Sequence, residues 1–129
     1  MKKCIAIFLT AMLVFSSITA QPKMDDVVGV LNSNKLENIV KYFDNMVDIT
    51  LNNNQSTYSR SQAEVVIRSF FSKNAITSFK IKYKGNDADD SSFYLIGDMK
   101  TKGNAIFHVY LFFKHKGNDH FLQEMKIEQ

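Results

Sequence analysis

The sequence predicts an α+β domain: a curved antiparallel sheet of four to five strands, wrapped on one face by three helices. Three observations carry this. Ala105–Lys114, AIFHVYLFFK, alternates with period two, placing Ala105, Phe107, Val109, Leu111 and Phe113 on one face. Ser59–Lys73 instead shows helical periodicity, with Ala63, Val66, Ile67, Phe70 and Phe71 on one stripe. The helical segments come first and four strands at hairpin spacing come last, an order that gathers helices on one side of a meander.

The chain has 129 residues, enough for one domain. Lys2 and Lys3, the apolar Ile5–Phe15 and the small-residue end Ser16–Ala20 form the three parts of a secretory signal peptide. The apolar stretch is too short for a spanning helix, so no stable membrane insertion is expected after cleavage. The expected organisation is a signal peptide over 1–20 and a single domain over 21–129, exported to the periplasm or beyond the cell. Cleavage after Ala20 removes Cys4, the sole cysteine, which excludes an intrachain disulfide framework. It also removes Lys2 and Lys3, leaving 14 basic against 13 acidic residues, a formal +1. A near-neutral domain has no global field to draw nucleic acid.

Along the remaining chain, Asp25–Leu31 reads as a short helix with two acids in its first turn and Val27, Val30 and Leu31 as its stripe. Asn34 then N-caps a second helix, with Glu37 completing a capping box and Leu36, Ile39, Val40 and Phe43 on its apolar face. Met46–Leu51 is a strand, and Asn52–Gln55 a turn or loop. The third helix has two overlapping caps, Ser59 with Gln62 and Ser61 with Glu64, and Asn74 is placed to end it in the left-handed conformation. The four closing strands are Ile76–Lys84, Phe93–Lys100, Ala105–Lys114 and His120–Glu128. Their odd-numbered positions, including Tyr83, Phe121 and Gln123, are expected to face the helices.

Element order and local sequence together are similar to the nuclear transport factor two-like, cystatin-like superfamily. More narrowly, YSRSQAEVVIRSFFSKN at Tyr58–Asn74, the preceding VDITL and the closing strands resemble a small exported domain-of-unknown-function family of Bacteroidetes-type bacteria. The resemblance implies a cone formed by a sheet curled around a helix. It also implies an interior that often holds a small apolar ligand, and dimerisation through the sheet. It carries no catalytic residue.

Tyr58, Tyr83, Phe107 and Gln123 are the expected lining of the cone interior. Tyr94, Ile96, His108, Tyr110, Phe112 and Leu122 are expected side by side on the opposite face, an apolar-aromatic patch suited to a homodimer interface. His115 and His120 flank the KGND turn without a further ligand to complete a metal set, so no metal or cofactor is expected. No Ser-His-Asp spacing, phosphate loop or HExxH occurs. Lys80, Lys82 and Lys84 read as a solvated strand that discourages edge pairing. Three functions stay open. The first is a non-enzymatic domain that binds a small ligand or a partner. The second is an isomerase- or dehydratase-type enzyme with a carboxylate in the cone. The third is an interaction module using the outer sheet face. A closed pocket with a buried acid of raised pKa separates the second from the others, and a cone filled by phenylalanines points to the third.

Overall fold

A computed structural model describes residues 23–32, 35–89 and 91–129; the expected signal peptide lies outside them. The order is α1 (Lys23–Asn32), a 3₁₀ helix (Leu36–Tyr42), β1 (Phe43–Leu51), β2 (Asn54–Ser59), α2 (Arg60–Lys73), β3 (Ile76–Asn86), β4 (Ser92–Thr101), β5 (Ile106–Lys116) and β6 (Asp119–Glu128). Six strands form one unclosed sheet in the order β2-β1-β6-β5-β4-β3, one strand more than the upper expectation. All pairs are antiparallel except β1 with β6, which run parallel.

The extra strand comes from a tight turn. Asn52 and Asn53 have φ of 47° and 72°, both left-handed, as a two-residue type I′ hairpin requires. Asparagine tolerates that region, and its twist suits two strands better than a loose loop does. β2 therefore pairs with β1 from Leu51–Asn54 to Met46–Ser59, where a polar loop was expected.

The second helical segment is tighter than expected, a 3₁₀ helix preceded by Lys35, which makes no side-chain cap; Asn34, the expected cap, lies outside the described residues. It still buries Leu36, Ile39 and Val40. α2 begins with the Ser59–Gln62 capping box in both directions, at 3.4 and 3.2 Å, and this cap is the one realised at the helix start. Asn74 ends α2 without a left-handed turn: its φ is −128°, and its backbone and side-chain amides both donate to the Phe70 carbonyl.

Helices α1 and α2 and the 3₁₀ turn lie on one face of the sheet. There they bury Val27, Leu31, Leu36, Ile39, Ala63 and Ile67 against Leu95, Met99, Val109, Leu111 and Met125. Alternation holds through β4 and β5; register shifts break it in the other ladders, and two of them displace residues expected at the site. In β3 the register shifts between Ile81 and Tyr83, so Tyr83 pairs with Ile96 and is 66% exposed. In β6 the shift opposite Phe112 and Phe113 brings Leu122 to the core with no exposed surface. Both readings of strict alternation are thereby corrected: Tyr83 leaves the cone and Leu122 enters it. An extra residue in one strand moves every later side chain to the other face, and period-two reading carries no signal for it. Gly97 marks the β3 kink. A Cβ there would lie 2.6 Å from the Lys80 carbonyl oxygen and 2.7 Å from the Phe79 ring, which covers the bare backbone.

Candidate functional site

Any site has to be sought in the cone interior, in the open concavities or on the outer sheet face. The interior is filled. Phe93 and Phe113 stack with centroids 4.5 Å apart, Tyr42 meets Phe113 edge-on at 6.3 Å, and Phe70 meets Phe107 edge-on at 5.5 Å. Aromatic pairs at these separations contribute beyond their burial, and Phe93, Phe107 and Phe113 are all buried there. Phe107 is thus core, not cavity lining. Tyr58 is half-buried at the edge of the core, beside a shallow concavity with Ser61, Gln62, Val65 and Val66.

Among the described residues, a further concavity of about 310 Å³ lies between Asp26, Lys41, Tyr42, His120 and Phe121, and two more open to solvent. One, about 460 Å³, lies where the 3₁₀ helix, the end of α2 and the start of β3 meet; Phe71 and Ile76 line it with Glu37, Arg68 and Lys102. The other, about 290 Å³, lies at the bulge between β1 and β6. There Phe43 points into the core and Asp44, by strand alternation, to the opposite side. Asp44 is only 4% exposed. Lys116 reaches it from the β5–β6 hairpin at 2.7 Å, and Gln123, the bulged residue of β6, donates to it at 3.0 Å. Arg60 braces the same bulge, donating through Nε to the Phe43 carbonyl and through Nη2 to Asn45. Burial pushes the Asp44 carboxyl up. Hydrogen bonds from Lys116, Gln123 and the Asn45 amide, with the Lys116 charge, outweigh it and hold the group below the usual carboxylate range. Gln123 accordingly serves a buried anion, not the cone interior. Asp44 is the one buried carboxylate among the described residues, and the sequence did not single it out; a lone acid beside a phenylalanine carries no periodic signal.

The outer face carries the other residues expected to act together. The register aligns Asp48, Glu124, Phe112 and Tyr94 in one row, Thr50, Lys126, Tyr110 and Ile96 in the next, and Glu128, His108 and Asp98 in a third. Tyr94 and Tyr110 stack obliquely, with centroids 6.4 Å apart and planes at 24°. Lys126 sits 5.8 Å above the Tyr110 ring, and burial raises the Tyr110 phenol above its ordinary range. The Tyr94 ring covers Gly85, where a Cβ would meet it at 2.6 Å. Asp98 takes Lys82 and His108 Nδ1, each at 2.8 Å, and these two hydrogen bonds keep its carboxyl low. Five of the six residues expected in this patch lie there; Leu122 does not. His115 and His120 face each other across the hairpin at 4.8 Å. Among the described residues no group of three or more metal-ligating side chains forms.

A sheet curled around a helix with one face left open defines a nuclear transport factor two-like fold. An NTF-2-like protein of unknown function from Shewanella oneidensis shares it at a TM-score of 0.59 with 12% identity, over 82% of this chain and 98% of that one. Residues 24–128 match the family described as domain of unknown function DUF4783, and the chain belongs to that family. A DUF4783 family protein from Bacteroides uniformis is 26% identical over 81% of this chain and 94% of its own, at a TM-score of 0.72. One from Bacteroides ovatus is 21% identical over 80% and 91%, at 0.71. None of the curated proteins matches the chain. The described residues include no helix long and apolar enough to cross a membrane.

Proposed function

We propose that this is an exported, non-catalytic domain that works by binding a partner across the outer face of its sheet, and that the first such partner is a second copy of the chain. The observation that carries the reading is the contrast between a cone filled by stacked phenylalanines and an outer face left with the Tyr94–Tyr110–Phe112 strip. The buried acid argues against proton-transfer chemistry. Asp44 is held in its charged form, lies outside the cone and has its oxygens engaged, which makes it a poor acid and a weak base.

The face also complements itself in charge. Lys80 and the Asp98-paired Lys82 stand at the β3 side, and Asp48, Glu124 and Glu128 at the β1–β6 side. A two-fold axis running along the strands within the interface would lay each lysine side over the other copy's carboxylates, with the tyrosines at the centre. Light scattering on residues 21–129 tests this. A dimer that Tyr110→Glu converts to a lower state supports it, and a parent protein that stays monomeric at millimolar concentration refutes it.

A second reading, capture of a small amphipathic ligand, has one supporting feature. The 460 Å³ concavity has an apolar floor at Phe71 and Ile76 and two cations, Arg68 and Lys102, at its rim. Native mass spectrometry of protein taken from its source, read for a retained anionic lipid-like mass, checks it.

A further inference from the structure

The two edges of the sheet are built differently. At the β3 edge, Lys80, Lys82 and Lys84 follow in alternation and a bulge at Lys82 breaks the line of the strand. Charge and irregularity are the usual means by which a sheet refuses another strand. At the other edge, β2 reads Asn-Gln-Ser-Thr-Tyr-Ser: it has no charge, no proline and no bulge, and Asn54 to Thr57 are exposed. Among the described residues the ladder neighbour of β2 is β1 alone.

The turn sets which backbone groups are on offer. In a two-residue hairpin the residues flanking the turn, here Leu51 and Asn54, form a hydrogen-bonded pair, and bonded and non-bonded pairs then alternate. Asn54, Ser56 and Tyr58 therefore point their amides and carbonyls at β1. Gln55, Thr57 and Ser59 point theirs away. The Ser59 amide is taken by Gln62 Oε1, which leaves Gln55 and Thr57 as the open positions.

We propose that this edge is a second self-association site, at which β2 of one copy pairs antiparallel with β2 of another about a two-fold axis through Ser56. In that register Gln55 lies opposite the other copy's Thr57, and the reverse, so the four open donors and acceptors meet in four backbone hydrogen bonds. Every facing pair is neutral: Gln55 with Thr57, Ser56 with Ser56, Asn54 with Tyr58. No like charges oppose one another, and the two open positions of each copy meet those of the other about the axis, so a second copy is the occupant the edge complements. The Asn52–Asn53 turn of each copy then reaches the concavity beside Tyr58, where Ser61 and Gln62 offer polar groups. This site is separate from the outer face.

Sedimentation velocity in a Tyr110→Glu background isolates the edge. The expected result is a concentration-dependent dimer in which the Gln55 and Thr57 amides exchange hydrogen slowly. Ser56→Lys sets two ammonium groups face to face at the axis and weakens the dimer about tenfold or more; Ser56→Glu does the same. An equimolar mixture of the Ser56→Lys and Ser56→Glu chains restores it. The proposal is overturned if Tyr110→Glu is monomeric at the highest concentration reached, or if Ser56→Lys leaves association unchanged. It also fails if the mixture associates no better than either variant alone, or if the two amides stay protected in Ser56→Lys, which would assign the edge to another occupant.

Discussion

Leu122→Ala separates the observed register of β6 from the one that unbroken alternation would give. Leu122 has no exposed surface and stands in one row with Phe43 and Phe113, themselves 1% and 0% exposed. Truncation to alanine removes buried apolar surface and leaves a hole walled by two aromatic rings that are held by their own neighbours. Sites that cannot collapse fall in the upper part of the range for this substitution, so the expected loss is about 3–4 kcal/mol. With a urea m-value of about 1–1.5 kcal/mol/M for a domain this size, the denaturation midpoint falls by roughly 2–4 M. Ile106→Ala is the control. Ile106 is 46% exposed on the outer face, where Leu122 would lie without the bulge, and its truncation should cost under about 1 kcal/mol. Equilibrium urea unfolding followed by circular dichroism reads both. Equal, small losses from the two variants would place Leu122 on the surface and refute the bulge.

Other perturbations act elsewhere. Asp44 titrates below its unfolded value, so its contribution to stability is present at neutral pH and is lost as pH falls through the carboxylate range. Asp44→Asn should lower stability at pH 7 and flatten its decline between about pH 5 and 3, measured by thermal melts across pH. A decline as steep as the parent's would remove Asp44 from that role. Gly97→Ala should cost about 1–3 kcal/mol, because its Cβ would meet backbone at 2.6 Å; Gly29→Ala, on the exposed side of α1 with nothing within 4 Å, should gain about 0.5–1 kcal/mol. Melting temperatures moving in opposite directions are the check. Asn53→Gly, at φ 72° in the second position of the type I′ turn, should stabilise the hairpin by roughly 0.5 kcal/mol, seen as slower amide exchange in β2.

What periodicity could reveal, it did. The α+β layering, the α2 stripe from Ala63 to Phe71, the Ser59–Gln62 cap and the alternating faces of β4 and β5 all follow from local spacing and hold in the fold. The failures share one cause. β2 is a polar strand stabilised by its turn and by one neighbour, so NQSTYS shows no apolar alternation to read. The displaced Tyr83 and Leu122, and the placement of Gln123 against Asp44 rather than in the cone, come from bulges. A bulge is a relation between two strands, and neither strand carries it alone. Parallel pairing of β1 with β6 is invisible for the same reason. The outer face was legible because five of its six residues lie upstream of the β6 irregularity, on strands whose phase is never broken at those positions.

That parallel pairing has a consequence for how the molecule comes into being. The strand that joins the β1–β2 hairpin to the β3–β4–β5 meander is the last of the six to be synthesised. Until it arrives, the earlier segments are two fragments with no shared ladder, and β1 has only β2 beside it. Contacts between distant segments of a chain are slow to form, so the domain remains unassembled until β6 has been made. Deleting the final ten residues should leave a product that chaperones and proteases recognise, even though every helix in the fold lies upstream of the cut.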